Sequence, residues 1–179
     1  MHSFRRLRKL LDQAIALDRA AKGNIQILDR ETGELHLLVQ RGFDAAFSRY
    51  FKKVRAFDAS ACGRALGSGD CVIISDVMHD PDFQPHRVIA GASGFRSVKS
   101  IPIAAKDGSI LGMLSTHSPS VRWDWERENT RPIAAKIATV LARLSPARWA
   151  AIRGPKTPKK SRSAIRAKRA RPSKRGARA

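Results

Sequence analysis

Acidic residues are scarce in this chain: 15 Asp and Glu stand against 35 Lys and Arg in 179 residues, a formal net charge of +20. That deficit turns attention to anionic partners. Cysteine is scarcer still, with only Cys62 and Cys71, nine residues apart. Such a pair does not resemble a disulfide framework and fits a reducing cytosol. No apolar run approaches the ~18 residues of a membrane-spanning helix, and the N-terminus lacks a signal-peptide core. No kinase, Walker A or nucleophile-elbow signature is present, so nothing in the chain reads as a catalytic output domain. A soluble, non-enzymatic protein of the bacterial cytoplasm is expected.

What is present is a run of alternating elements. Phe4 to Ala21 carries Leu7, Leu10, Leu11, Ala14, Ile15 and Leu17 at helical period, with Gly23 as its stop. The stripe suits either the domain's own sheet or a partner helix in a homodimer. A hairpin follows, NIQIL and ELHLLV around Glu31-Thr32-Gly33-Glu34, alternating as strands with one buried face do. In that alternation His36 faces solvent. Phe43, Phe47, Tyr50 and Phe51 recur three or four residues apart, on one face of a short helix. Ser60 caps a second short helix that Gly67 and Gly69 end. Val72–Ile74, Val98–Ile103 and Ile110–Leu114 are strands, the last two joined through Asp107-Gly108. Thr130 caps a closing helix to about Leu144 with Pro132 in its first turn, unless the proline kinks it.

The order strand, Asp-rich loop (SDVMHDPDF), short helix, strand, Asp-Gly hairpin, ILGMLSTH strand resembles a bacterial GAF domain, and the resemblance runs from about Leu7 to Leu144. It implies an α+β, profilin-like fold. A central antiparallel sheet of five or six strands would be flanked by N- and C-terminal helices and a short pocket helix. The expected layout is residues 1–22 as the N-terminal helix, 23–145 as the domain core with its closing helix, and 146–179 as a disordered basic tail. GAF domains bind diverse small molecules or none, so neither ligand nor cofactor is named by the fold.

By that resemblance Asp76, Asp80, Phe83, His86, Arg96, Ser97 and Ser100 lie near any ligand. The aromatic helix also walls the pocket in this family. Arg96 is suited to a carboxylate or phosphate, and His86 to a pH-dependent gate; the alternative for Arg96 is a surface ion pair. Met113, Ser115 and His117 share one strand face, which makes His117 either a second pocket imidazole or a solvent-facing cap. Asp76, His79, Asp80, Asp82 and His86 crowd eleven residues, but their spacing matches no metal motif, and Asp82 reads as a helix cap. Cys62, just past a helix start, is either a thiol of lowered pKa or an inert buried residue, and Cys71 can be inert too. The segment Ala61-Cys62-Gly63 resembles part of the GAF-type free methionine-(R)-sulfoxide reductases. The later nucleophile position, however, reads Ile89-Ala90-Gly91 and holds no sulfur. A Cys62 and Cys71 redox pair stays open.

From Arg153 onward, seven Arg and five Lys meet no acid, which places twelve of the twenty charges in the tail and leaves +8 on residues 1–152. The tail is too poor in apolar surface to order itself, and it resembles the basic tails of histone-like proteins, most closely at Thr157-Pro158-Lys159-Lys160. Lys156, Lys159, Lys160, Arg162, Arg166, Lys168, Arg169, Arg171, Lys174, Arg175 and Arg178 are its candidate phosphate contacts. Three functions follow. The first is a stand-alone sensor for a small molecule or redox signal, dimeric, serving a separate output protein and held near nucleic acid by the tail. The second is a nucleoid-associated DNA-binding protein in which the GAF fold only dimerises. The third is a redox protein acting through Cys62.

Overall fold

A computed structural model describes residues 2–144. Six strands form one antiparallel sheet: β1 (Lys22–Asp29), β2 (Glu34–Arg41), β3 (Lys53–Val54), β4 (Val72–Ile74), β5 (Ser97–Ala104) and β6 (Ile110–Ser118), in spatial order β3-β2-β1-β6-β5-β4. The basic tail, with every one of its candidate contacts, lies outside the described residues.

One face of the sheet is covered by two helices, α1 (His2–Leu17) and α5 (Arg131–Leu141). Leu7, Leu10, Leu11 and Ala14 of α1 bury against Ile25, Ile27, Ile101 and Leu114 of the sheet and Ile133 and Ile137 of α5. The α1 stripe is therefore engaged by its own domain, and of the expected seam only Leu17 is left exposed. The helix stops at Leu17, short of Gly23, because Arg19 turns to a left-handed φ of 49°. Gly23 has another use: a side chain there would meet the Ser115 carbonyl across the strand pair at 2.9 Å. The closing helix follows Thr130 with Pro132 in its first turn, but the Thr130 hydroxyl makes no capping hydrogen bond, and the helix ends at Leu141 rather than near Leu144.

The two helices are tied through the sheet by a buried ion pair. Lys99 Nζ on β5 donates to Asp18 Oδ1 (2.6 Å), Asn129 Oδ1 (2.7 Å) and the Glu126 carbonyl (2.9 Å). Thr116 on β6 donates to Asp18 Oδ2 at 2.6 Å. The three ammonium protons each have an acceptor and both carboxylate oxygens have a donor, the condition under which a buried charge is tolerated. The turn after α1 and the loop before α5 are thus fastened to the same two strands.

The opposite face carries shorter helices: α2 (Ala45–Tyr50), α3 (Ala61–Ser68) and, after a 3₁₀ turn at Gln84–His86, α4 (Arg87–Ala92). Asp44 and Ser60 cap α2 and α3 through the Phe47 and Gly63 N–H groups. Gly69 closes α3 at φ 72°, while Gly67 lies inside it. Phe43, Phe47, Phe51, Phe83 and Phe95 form the aromatic heart of this second core. Tyr50 departs from the expected stripe and is half-exposed.

Two local expectations are corrected. His36 is buried, not solvent-facing. Opposite Ile25 sits Val39 and opposite Gln26 sits Leu37, so Leu38 is an extra residue in β2, a β-bulge. The bulge breaks the two-residue alternation and turns His36 to the Ile27 side, with its Nε2 3.7 Å from Glu34 Oε2. The exposed Asp82 caps nothing: the 3₁₀ turn has no side-chain cap, and it is Asp80 whose Oδ1 accepts from the Phe83 N–H just before it, at 2.9 Å.

Candidate functional site

The central strands β1, β6 and β5 present a polar floor on the aromatic side. Alternation on β1 sends Ile25 and Ile27 to the helical layer and Asn24 and Gln26 to the other face. Pairing puts Asn24 beside Ser115, and Ser115 beside Ser100. The two serine hydroxyls bond each other at 2.7 Å. Above this floor α2, α3 and the Phe83 loop close a small cavity of about 20 Å³, room for about one water molecule. Its walls are Phe47, Phe51, Phe83 and Phe95, with Ser60 and Cys62 at the start of α3 and His117 at the end of β6. The His117 ring meets Phe43 and Phe95 edge-on, with centroids 4.9 and 4.8 Å away.

Three polar atoms in that wall have no hydrogen-bond partner: Asn24 Oδ1, Gln26 Oε1 and His117 Nδ1. Their residues are 5%, 1% and 5% exposed. Such orphans are rare in a folded interior and call for an explanation where they cluster. Burial, with a smaller contribution from Lys22, pushes His117 down to about 3, so its ring is neutral at physiological pH. Burial also pushes the Cys62 thiol up to about 11, against the lowering by its hydrogen bond with Ser60 Oγ at 3.3 Å. The helix start does not activate this thiol because desolvation outweighs the lowering from Ser60 and from the Gly63 and Cys62 N–H groups. Cys71, raised by burial as well, packs in the helical layer on the other side of the sheet.

Of the sequence candidates, the cavity brings together Phe83, Ser100, His117 and Cys62. The others are engaged elsewhere. Arg96 is clamped on Asp76, with Nη2 2.9 and 2.8 Å from its two oxygens. Burial raises the Asp76 carboxyl, but hydrogen bonds from His79, Arg96 and the Met78 N–H together outweigh it and hold the group down at about 2. Asp80 is held by Arg64 at 3.0 Å, and with Asp76 it borders a surface groove beside exposed Trp123. Ser97 donates to the Ser120 carbonyl at 2.9 Å. His86 Nε2 donates to the Asp58 carbonyl at 2.7 Å, and Nδ1 is hydrogen-bonded with the Tyr50 hydroxyl at 2.9 Å. Both ring nitrogens are occupied. Among the described residues no group of three or more His, Cys, Asp and Glu could hold a metal ion.

Sequence reasoning missed Asn24, Gln26 and Ser115. The signal was the strict polar alternation of β1, which reads as a solvent face until the strand is known to be central and covered on both sides.

Comparison with known proteins agrees with this architecture. The GAF domain family model matches residues 3–145. The GAF domain region of a protein from Geobacter sulfurreducens superposes with a TM-score of 0.66 at 17% identity, covering 80% of this chain and 95% of that one. A free methionine-R-sulfoxide reductase from Neisseria meningitidis, solved with its substrate, gives 0.52 at 24% identity, covering 80% and 77%. A methyl sulfide methyltransferase-associated sensor from Methanosarcina acetivorans is 26% identical over 105 residues, 58% of this chain and 10% of the sensor's own length. The structural likenesses establish the fold, and the match to the sensor spans a small part of a much longer protein.

Proposed function

This chain belongs to the GAF domain family, and from that membership we propose that it is a sensory module whose small-molecule ligand occupies the aromatic cavity over Asn24, Gln26 and His117. The observation that carries the reading is the convergence of three unpartnered, buried polar atoms on one cavity. Leaving a buried group unpaired costs roughly 1–3 kcal/mol each, which a ligand that pairs them recovers as binding energy. The likeness to a methyltransferase-associated sensor supports a signalling role, read by a separate output protein. The role proposed is sensing without turnover. The cavity thiol, Cys62, is held protonated by burial, and Gly91 stands where the reductases carry their nucleophile.

The tail's twelve positive charges support loose, sequence-independent association with nucleic acid. Each phosphate neutralised steepens the salt dependence by about −0.9 in log–log slope.

The test is a thermal-shift screen of the full chain against a metabolite library. At least one compound is expected to raise the unfolding midpoint of the wild type and fail to do so in Gln26→Leu. A screen in which no compound separates the two proteins would sink the cavity reading. In parallel, DNA retention should disappear on truncation after Leu144; retention unchanged by truncation would remove the tail from the account.

A further inference from the structure

Resting on the cavity as the ligand site, we infer that the ligand is an uncharged, flat molecule bearing N–H or O–H donors, and that anions and cations of the same shape are rejected. Asn24 Oδ1 and Gln26 Oε1 are carbonyl oxygens, which only accept, so whatever pairs them must donate. They stand two residues apart on one strand, about 6.6 Å along it, the span of a ring carrying a polar substituent. The Ser115 hydroxyl, level with Asn24 on the next strand, and that of Ser100 beyond it already satisfy each other. His117 Nδ1 supplies a third polar contact at the far end.

The charge argument comes from what surrounds the cavity. No side chain that lines it carries a formal charge. The nearest ammonium, Lys22, donates to the Ser93 carbonyl at 2.5 Å and lies over the outer Phe43 ring. Arg96 and Arg64 are held by Asp76 and Asp80. The nearest carboxylate, Asp58, accepts from both the N–H and the hydroxyl of Ser60. A carboxylate or phosphate entering here would lose its hydration against phenyl rings with no free cation to meet it, and an ammonium would find no free carboxylate. Desolvating an unpaired ion costs far more than a hydrogen bond returns. The phenyl walls, in contrast, match the faces of a planar molecule. The cavity as it stands holds about one water, so a ring-sized ligand takes the place of one of these side chains, and Phe51, the residue that ends α2, is the one tested.

Benzamide, benzoate and benzamidinium are near-identical in shape and differ in charge, which makes them the probes. Each would be titrated into the full chain and into Phe51→Ala, following the Asn24 and Gln26 side-chain amide signals and the His117 ring by NMR. Benzamide is expected to shift these signals saturably, more tightly in Phe51→Ala, with at least tenfold weaker binding in Gln26→Leu. Benzoate and benzamidinium should bind at least tenfold more weakly than benzamide. Either ion binding within threefold of benzamide at these signals overturns the neutral-ligand inference while leaving the cavity a ligand site. No shift with any probe in either protein also overturns it, the orphan groups then being satisfied by water alone; the cavity reading itself is decided separately by the metabolite screen.

Discussion

Replacing Lys99 with methionine should be among the most damaging single changes in this domain that alters no apolar side chain. The ammonium is 1% and its partner carboxylate 0% exposed, so Lys99→Met leaves the buried Asp18 carboxyl without its counter-charge and with the Thr116 hydroxyl as its remaining side-chain donor. Stripping one partner from a buried pair costs about 3–5 kcal/mol. Set against a total stability of roughly 5–15 kcal/mol for a domain, that is about a fifth of the margin or more. The unfolding midpoint should fall by roughly 10 °C, at about 2–4 °C per kcal/mol for a chain of this size. The surface pair Arg41–Asp12, with both partners half-exposed, is the control: Arg41→Ala should cost far less, because solvent screens the pair. Urea denaturation of Lys99→Met, Asp18→Leu and the double variant measures the coupling. The double variant should be less destabilised than the sum of the singles, because it leaves no lone charge behind. A Lys99→Met loss below about 1 kcal/mol, or strict additivity, would refute the view that the pair fastens the two helices to the sheet.

Acid should destabilise the fold through His117. Its folded-state pKa, about 3, lies below the ordinary 6.5, so between those values the unfolded chain binds the extra proton and stability falls as pH falls. The slope is about 1.4 kcal/mol per pH unit from this group, and His117→Phe should flatten it in a pH series of urea melts. Native Cys62 should react with iodoacetamide far more slowly than a free thiol at pH 7 and accelerate as pH rises toward about 11; fast labelling at neutral pH would contradict the raised thiol pKa. Gly112→Ala should lower the urea midpoint sharply, because the new methyl carbon would sit 2.1 Å from the Gln26 carbonyl oxygen of the paired strand.

Much of this fold was legible because local signals and tertiary demands agreed. Ser60 and Gly69 bound α3 by the same capping physics that the sequence displays, Thr130 and Pro132 open α5, and Asp107-Gly108 turns β5 into β6. The site was half legible. Phe83 and Ser100, set near a pocket by the family resemblance, and His117, set there by its strand face, do line the cavity. Arg96, Asp76, Asp80 and His86 sit beside it in sequence, yet they satisfy one another and neighbouring backbone before any ligand can use them. Asn24 and Gln26 escaped because polar alternation alone does not say whether water or other protein covers a strand. That depends on strand order, and β1 becomes central only when β6 returns from the far end of the chain to pair with it.

The extra residue at Leu38 makes the length of β2, more than its chemistry, the sensitive quantity. A substitution in this strand changes one side chain; deleting a residue here would shift the phase of the whole strand. With Leu38 gone, one half of β2 must turn over relative to the other. Either His36 and Leu35 exchange faces, or Val39 leaves the helical layer, the Gln40 amide swings away from the Phe43 backbone it brackets at 3.0 Å, and Arg41 loses Asp12. Length changes should be absorbed at the exposed Glu31-Thr32-Gly33 tip, where a residue more or less alters no phase, and resisted a few positions later.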